Sequence, residues 1–277
     1  MKLSFIIVHY QVKDLLEKCI LSIKKYIQGI DYEVIVIDNN SPDSKWKELI
    51  PKYPDVKFIA LEENYGFSKA NNIGVKSAKG EYVYILNPDT ELEGYYFNEI
   101  LDFADQQEKF GALGLRMHDA KGAFLPESKR SIPALVNSFE KLFTKLSNDS
   151  KTYYRNDIGE FEIAEVEVMT GANLLMKKSV YEKVGGFDEQ YFMYGEDIDL
   201  CYTILRNGYT NFYYGKYSIL HYKGESTLKD KVYLERFFGA MDIFIKKYYK
   251  RQKPLQYFLM SIGLKLKHFI EARKVKN

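Results

Sequence analysis

Acidic side chains follow two apolar runs in the first third of the chain. Asp38 comes directly after the run EVIVI, and Asn87-Pro88-Asp89 follows the run EYVYIL. A carboxylate at the end of a strand can ligate a hard divalent cation, which would neutralise a diphosphate leaving group. Asp38 could instead accept a hydrogen bond from a base N–H or a ribose hydroxyl. Because Asn, Pro and Asp also favour turns and helix caps, that simpler explanation stays open for both segments.

A third acidic segment reads GEDID and contains Glu196, Asp197 and Asp199. Asp197 could act as the general base that takes a proton from an acceptor hydroxyl. The competing explanation is an acidic first helical turn, which the helix dipole stabilises. His221, at the end of a predicted strand, could ligate a metal through a neutral ring nitrogen, although a lone His is more often structural.

Between Asn64 and Gly74 the chain combines small residues with several Asn side chains. Small residues in a helical stretch allow a backbone or ligand to approach closely, and Asn can bond a ligand. The segment is neither a phosphate-binding loop nor a dinucleotide fingerprint, because GxxxxGK(S/T) and GxGxxG are both absent from it. The structural alternative is that Gly66 ends a turn and Gly74 permits close helix packing.

The segments between these residues show the periodicities of the elements that must position them. Near-continuous apolar runs alternate with amphipathic segments, as in a doubly wound α/β sheet with mostly parallel strands. Ligands bind beyond the carboxyl ends of such strands, which is where Asp38 and Asp89 lie. Predicted strands cover 3–9, 33–37, 56–61, 81–86, 110–116, 209–214 and 218–221, with two short ones around 170–172. Predicted helices cover 14–26, 68–78, 95–107, 179–184 and 197–207, and the polar stretch 128–157 is predicted as a loop or short helix.

Composition favours one large domain with an appendage, in 277 residues that are 46% apolar and 28% charged. The net charge of +2 indicates no nucleic-acid partner. Cys19 and Cys201 are isolated, which is typical of reduced thiols in a cytosolic chain. The N-terminus lacks the pattern of a signal peptide, and we expect a cytoplasmic protein, with the inner face of the cell membrane as a further location.

The C-terminal segment differs from the body in charge. Residues 229–277 contain 13 Lys and Arg against 4 Asp and Glu, a net charge of +9 that leaves −7 on the rest. Two helical stretches, broken near Pro254, place apolar side chains beside these basic ones. This basic amphipathic tail, residues 228–277, could dock on an anionic membrane surface. It could equally pack on the catalytic body or form a homodimer contact.

Taken in order along the chain, these segments resemble the inverting family-two glycosyltransferases with the GT-A fold. The likeness covers about residues 3–226, and we expect residues 1–227 to form the GT-A domain. SFIIVHY looks like the family's first strand, which contacts the base, and NPD stands where the family has its DxD metal motif. The segments TGA, GGFDE and ED match the family's acceptor side.

The resemblance implies a role for each matching residue. The implied donor contacts are Val8, Tyr10, Asp38, Asn64, Phe67, Asn71 and Asn87. The implied acceptor-side residues are Gly171, Ala172 and Glu196, with Asp197 as the catalytic base. Asp89 and His221 would hold a divalent metal, Mg²⁺ or Mn²⁺. The partners would be a nucleotide-sugar donor and a glycan or lipid-linked glycan acceptor.

Two departures from the family pattern narrow the expected activity. Asn87 replaces the first carboxylate of DxD, which leaves a leaner metal site and resembles the branch that includes rhamnosyltransferases. That branch implies a deoxythymidine-diphosphate rhamnose donor, with a UDP-sugar as the alternative. The QxxRW motif of processive synthases is absent, and Trp46 is the sole Trp, so we expect transfer of a single sugar.

Two other functions share some of these features. A sugar-nucleotide nucleotidyltransferase also uses strand-end carboxylates and a metal, but it needs a Gly-rich basic loop after the first strand, where this chain reads HYQVK. A non-catalytic nucleotide-sugar binding protein would not need both Asp89 and Asp197. The sequence therefore favours an inverting hexosyltransferase.

Overall fold

A computed structural model describes residues 1–132, 153–222 and 231–274. The strands are β1 Leu3–His9, β2 Tyr32–Asp38, β3 Val56–Ala60, β4 Tyr82–Leu86, β5 Thr90–Leu92, β6 Phe110–His118, β7 Ile163–Glu165, β8 Asn173–Lys177 and β9 Thr210–His221. The helices are α1 Lys13–Tyr26, α2 Leu49–Lys52, α3 Gly66–Ser77, α4 Phe97–Gln106, α5 Lys178–Lys183, α6 Glu196–Arg206, α7 Lys231–Tyr249 and α8 Pro254–Ala272. Most of the predicted loop at 128–157, and the predicted domain boundary between residues 227 and 228, lie outside the described residues.

The strands form one sheet in the order β3-β2-β1-β4-β8-β6-β9-β5, and β7 also pairs with β9. β1 is parallel to β2 and β4, and β2 is parallel to β3, as the alternation of strands and helices predicts. Beyond β4 the sheet is mixed, because β8 is antiparallel to β4 and β6, and β5 and β7 are antiparallel to β9. The predicted α/β fold class is confirmed, with a smaller parallel part than the sequence indicates.

The reversal at β8 decides where the later segments of the chain meet the earlier ones. Leu86, the last residue of β4, is paired with Asn173, the first residue of β8. The residues that precede β8 therefore lie beside those that follow β4. This brings Gly171 and Ala172 to the same edge of the sheet as Asn87.

The sheet carries a hydrophobic core on each face, because successive side chains of a strand point to opposite sides. On β1, Phe5 and Ile7 belong to a cluster that includes the buried face of α1, whereas Ile6 belongs to a cluster with α3. Gly74 of α3 lies where a Cβ atom would come within 2.6 Å of Ile6 and Ile37. The packing role expected for this glycine is therefore observed.

The two predicted C-terminal helices are α7 and α8, with Pro254 as the first residue of α8. They pack on each other through a small cluster of Phe238, Ile245, Met260 and Leu264. Within the described ranges, no helix has the length and apolar character needed to cross a membrane.

Candidate active site

The carboxyl ends of β1 and β2 place His9 and Asp38 side by side, both buried. His9 Nε2 lies 3.8 Å from Asp38 Oδ1, and the Ser41 N–H donates to Asp38 Oδ2 at 3.1 Å. No described residue bonds Asp38 Oδ1 or His9 Nδ1. Burial lowers the pKa of His9, and the charge of Asp38 opposes this shift. One carboxylate oxygen of Asp38 is thus available to a ligand N–H or hydroxyl.

The end of β1 holds two further predicted donor contacts. Val8 pairs in register with Ile37 and is only partly buried. Tyr10 follows the strand and leaves 41% of its surface exposed. Tyr10 therefore offers an accessible aromatic ring near the end of β2, where Asp38 lies.

Two amide side chains shape the loop before α3. Asn39 Nδ2 donates to Asn64 Oδ1 at 3.0 Å and to the Gly66 carbonyl at 3.2 Å. In return, Asn39 Oδ1 accepts from the Tyr65 N–H at 2.9 Å, and Asn64 Oδ1 accepts from the Gly66 N–H at 3.0 Å. Gly66 has a φ of +77°, and a Cβ there would collide with the Phe192 carbonyl. The oxygen of Asn64 is therefore committed to the turn that begins α3.

Phe67 links α3 to the segment before α6, whereas Asn71 bonds within α3. The Phe67 N–H donates to the Phe192 carbonyl at 2.7 Å, and its ring meets that of Phe187 edge-on at 5.6 Å. Asn71 is buried, and its Nδ2 donates to the Phe67 carbonyl at 2.9 Å. Asn71 Oδ1 is buried and has no partner among the residues described. Phe67 therefore holds α3 against the segment before α6.

The end of β4 brings Asp89 next to His221. Asp89 Oδ1 lies 3.4 Å from His221 Nε2, and both side chains are buried. The antiparallel pairing of Thr90 with His221 fixes this distance, and the Tyr222 N–H donates to the Asp89 carbonyl at 2.9 Å. His221 Nδ1 is buried without a described partner. The structure thus unites two residues that are 132 positions apart in the sequence.

This pair has the donor set of a partial divalent-metal site. The residues described contain no group of three or more His, Cys, Asp and Glu side chains able to hold an ion. Mg²⁺ commonly uses only one or two carboxylates and takes its remaining ligands from water and substrate phosphates. Asp89 and the imidazole of His221 therefore fit a metal that a diphosphate would complete, in keeping with the lean site expected from Asn87.

Gly171 and Ala172 connect the residues that follow β4 with the start of α6. The Ala172 carbonyl accepts from the Asn87 N–H at 3.0 Å, and the Gly171 N–H donates to Asp197 Oδ2 at 3.3 Å. Phe67 packs against Gly171, where an added Cβ would meet its ring at 3.2 Å. Through this dipeptide Asn87, which follows β4, is linked to Asp197 at the start of α6.

The start of α6 places Asp197 in a buried ion pair. Arg130 Nη2 donates to Asp197 Oδ2 at 2.5 Å and to the Met169 carbonyl at 2.8 Å. The Ile198 N–H donates to Asp197 Oδ1 at 2.8 Å. Burial disfavours the charged form of Arg130, but the charges and hydrogen bonds of Asp197 and Tyr153 together outweigh it and raise the pKa of the guanidinium. Arg130 thus places a buried cation directly beside Asp197.

Glu196 and Asp199 have different environments on the same helix. Burial raises the pKa of Glu196 to about 8, the charge of Asp197 adds to this rise, and Glu196 Oε2 has no hydrogen-bond partner among the described residues. This environment therefore favours the protonated form of Glu196. Asp199 instead accepts hydrogen bonds from Lys247 Nζ at 2.8 Å and the Tyr248 hydroxyl at 2.7 Å, so it anchors α7.

Two residues of this site carry no signal that identifies them in the sequence. Arg130 lies in a stretch without periodicity, 67 positions before Asp197, and reaches it through a bridge that pairs Arg130 with Val168. Asn39 follows Asp38 in the sequence, but its role in binding Asn64 depends on the loop beyond β3. The other predicted site residues lie in one connected region around the edge formed by β1, β2, β4 and β8.

Two family models match the chain. The model described as glycosyl transferase family 2 matches residues 4–185, and the model described as the N-terminal domain of galactosyltransferase matches residues 163–225. The first match contains the strand-end residues and the Gly171–Ala172 dipeptide. The second contains the acidic segment and His221.

Two curated relatives share the sequence over most of the body. N-acetylglucosaminyl-diphospho-decaprenol L-rhamnosyltransferase of Mycobacterium tuberculosis is 30% identical over 213 residues, which are 71% of this chain and 68% of the relative. Rhamnosyltransferase WbbL of Escherichia coli is 28% identical over 219 residues, which are 72% of this chain and 78% of the relative.

A solved structure shares the fold at lower sequence identity. The crystal structure of GalNAc-T7 with UDP, GalNAc and Mn²⁺ superposes with a TM-score of 0.70 at 16% identity. The match covers 100% of this chain and 55% of that one.

Proposed function

We propose that this chain, which belongs to glycosyl transferase family 2 and is a glycosyltransferase, transfers one sugar from a nucleoside-diphosphate donor to an acceptor hydroxyl. In this reaction the configuration at the anomeric carbon inverts. The observation that carries the proposal is the Gly171–Ala172 junction, which places the Asp197–Arg130 pair next to the strand ends. A base and a leaving-group site on two sides of one reacting carbon are what a direct displacement requires. The expectation of a rhamnosyltransferase-like member of the family is confirmed by the named relatives.

The proposed donor is deoxythymidine-diphosphate rhamnose, with a UDP-sugar as the alternative. Two relatives are named rhamnosyltransferases, and Asn87 gives the chain the Asn-Pro-Asp form that resembles that branch. Thymine and uracil share a ring N–H, which the free Oδ1 of Asp38 could accept. The base-side residues therefore suit both nucleotides, and the sugar pocket must distinguish the donors.

Asp89 and His221 are the proposed holders of a divalent metal, Mg²⁺ or Mn²⁺. Such an ion supplies Lewis-acid stabilisation of a diphosphate leaving group when it is bound. Asn87 contributes through its backbone N–H, which keeps the strand end against Ala172. The GalNAc-T7 structure, which contains Mn²⁺, is similar in fold and supports the cofactor class.

In the proposed mechanism Asp197 is the base. Its Oδ2 accepts from Arg130 and Gly171, while Oδ1 accepts one hydrogen bond and retains capacity for the acceptor proton. The deprotonated hydroxyl attacks the anomeric carbon from the face opposite the diphosphate, so the configuration inverts. Glu196, neutral and with an unpartnered oxygen, donates a hydrogen bond that orients the acceptor.

The proposed acceptor is a glycan hydroxyl, with a lipid-linked glycan as the leading candidate. The Mycobacterium relative is named for an N-acetylglucosaminyl-diphospho-decaprenol acceptor. The buried free thiols of Cys19 and Cys201 are compatible with the proposed cytoplasmic location. We also propose that the glycosyltransferase domain ends at residue 227 and that the C-terminal helices form an appendage.

The proposal is tested with the full chain, Mn²⁺ or Mg²⁺ and a panel of nucleotide sugars. We expect acceptor-dependent release of dTDP from dTDP-rhamnose that exceeds release of UDP from UDP-sugars. The anomeric configuration of the product, read by proton NMR, is expected to be opposite to that of the donor. A product that retains the configuration contradicts direct displacement, and formation of a nucleotide sugar from sugar phosphate supports the nucleotidyltransferase alternative instead.

A further inference from the structure

The C-terminal tail, for which the sequence leaves membrane docking and packing on the body both open, contains two helices with different surroundings. α7 is fastened to the body, because Lys247 Nζ donates to Asp188 at 2.7 Å and to Asp199 at 2.8 Å. Burial lowers the pKa of Lys247, but these two carboxylates outweigh it and raise the pKa overall. The ring of Tyr248 also meets that of Tyr202 edge-on at 4.7 Å. α7 is therefore packed on the catalytic body rather than a free amphipathic helix.

α8 covers α7 with one face and leaves the opposite face exposed. Met260 and Leu264 pack against α7 and are 8% and 6% exposed. Seven large apolar side chains on the other face are between 42% and 70% exposed. They are Leu255, Phe258, Leu259, Ile262, Leu266, Phe269 and Ile270, here named the α8 stripe.

The spacing of the α8 stripe places its residues on a single surface. Its members follow one another at intervals of three, one, three, four, three and one residues, which is the repeat of one helix face. A continuous exposed apolar surface of this kind marks an interaction site, whereas single apolar residues scattered over a surface are normal and need no explanation. The fold itself does not use the stripe, since α8 already buries its other face.

Charges around the stripe indicate what covers it. Basic side chains stand at both ends and along one edge of the stripe: Lys250, Arg251, Lys253, Lys265, Arg273 and Lys274. The single acidic residue of α8 is Glu271, which is paired with Lys267 at 3.2 Å and Lys274 at 3.0 Å. α8 therefore has no unpaired carboxylate to repel an anionic surface.

We propose that the α8 stripe lies in the headgroup region of an anionic phospholipid membrane. Lipid supplies apolar contact for the stripe and phosphate for the basic residues at its ends, which is how interfacial helices bind. A second copy of this chain fits less well, because a two-fold contact matches a patch with itself and would oppose basic residues without acidic partners. The charge pattern therefore selects the membrane over self-association.

The helical pair also connects this surface to the acceptor side of the site. Phe238 of α7 stacks on His268 of α8 with centroids 4.8 Å apart. Tyr233 of α7 meets Tyr194 at 5.2 Å, and Tyr194 is two residues before Glu196. Membrane docking would thus hold the acceptor end of the site at the lipid surface, and this consequence rests on the proposed lipid-linked acceptor.

Flotation of the full chain with vesicles tests the docking surface. The vesicles contain phosphatidylcholine alone or with about 30% phosphatidylglycerol, an anionic content within the range that attracts basic segments. We expect wild type to float with anionic vesicles only, and Leu255→Gln/Ile262→Gln to reduce the bound fraction by about tenfold or more, since both apolar contacts are lost. The matched control is Leu21→Gln/Ile50→Gln, two exposed aliphatic residues of the body at 50% and 42% exposure, which should float as wild type does.

Two results would overturn the docking proposal. Equal flotation of the stripe variant and the control overturns it, as does a concentration-dependent dimer of wild type that the stripe substitutions abolish. Melting curves by circular dichroism establish that both variants are folded. Because flotation needs no donor or acceptor, wild type that floats but releases no nucleotide would refute the transferase proposal and leave the docking surface intact.

Discussion

The strand-end region that holds Asp38 and Asp89 and the buried region around Asp197 are built in different ways. Asp38 ends β2 beside His9 of the neighbouring strand β1, and Asp89 lies between β4 and β5, beside His221 of β9. Asp197 instead pairs with Arg130, which reaches it from a segment 67 positions away. The position of a carboxylate at a strand end is set by the residues next to it in the sequence. A buried ion pair forms only when the fold brings two distant segments together. The two regions should therefore respond differently to substitution.

The largest effect is expected from Asp197→Asn. Removal of the proposed base should lower kcat by roughly 10²–10⁴-fold while leaving the donor KM almost unchanged, because general base catalysis contributes about that factor. Initial-rate kinetics with varied donor measure both quantities. The control is Asp14→Asn, whose side chain is 91% exposed. Full transfer by Asp197→Asn would remove Asp197 as the base.

Asp89→Asn changes the strand-end region and should weaken nucleotide binding rather than slow the chemical step. We expect the affinity for the nucleoside diphosphate to fall by about 10–100-fold, because one of two protein ligands of the proposed metal loses its charge. Calorimetric titration of dTDP with and without Mn²⁺ measures this loss, and added Mn²⁺ should recover part of it. An affinity that is unchanged and independent of metal would show that Asp89 serves only the turn.

Substitution of Arg130 tests whether the buried cation acts on the proposed base. Arg130→Met removes the cation beside Asp197, so we expect the acid limb of the kcat/KM profile to move about 1–3 pH units upward. Arg130→Lys keeps the charge and should move it less, which separates the electrostatic role from packing. Removal of one partner of a buried pair also costs about 3–5 kcal/mol of stability, so both profiles are recorded below the measured melting temperatures. An acid limb that does not move would leave Arg130 with a structural role alone.

The smallest effect is expected in stability, from Glu196→Gln. The pKa of Glu196 is raised to about 8 from an ordinary 4.5, so the native state prefers its protonated form. Its contribution to stability is full below about pH 4.5 and is lost as the pH rises through about 8. Gln cannot ionise, and the variant should gain about 2–4 °C in melting temperature over wild type between pH 5 and pH 9, as a change of about 1 kcal/mol produces. A difference in melting temperature that stays constant with pH would contradict the conclusion that Glu196 is a buried carboxyl group with a raised pKa.

Several elements of the fold follow from periodicity in the sequence. The runs ending at His9, Asp38 and Leu86 are observed as buried strands, and the acidic segment is observed as the first turn of α6. The strand predicted in two pieces at 209–214 and 218–221 is instead one strand, β9, with a shift in its pairing to β6 after Leu115. A local pattern cannot show that a neighbouring strand bridges such an irregularity.

The sequence by itself determined the strand-end carboxylates, the acidic helix start and the two C-terminal helices, because each is a pattern of adjacent residues. Only the tertiary structure decided that β8 runs back along β4, that Arg130 neutralises Asp197, and that α8 rather than α7 exposes its apolar face. The reason is the same in each case. Strand order, ion pairing and burial depend on which distant segments meet, and the free energy of those contacts belongs to both partners rather than to either stretch of sequence.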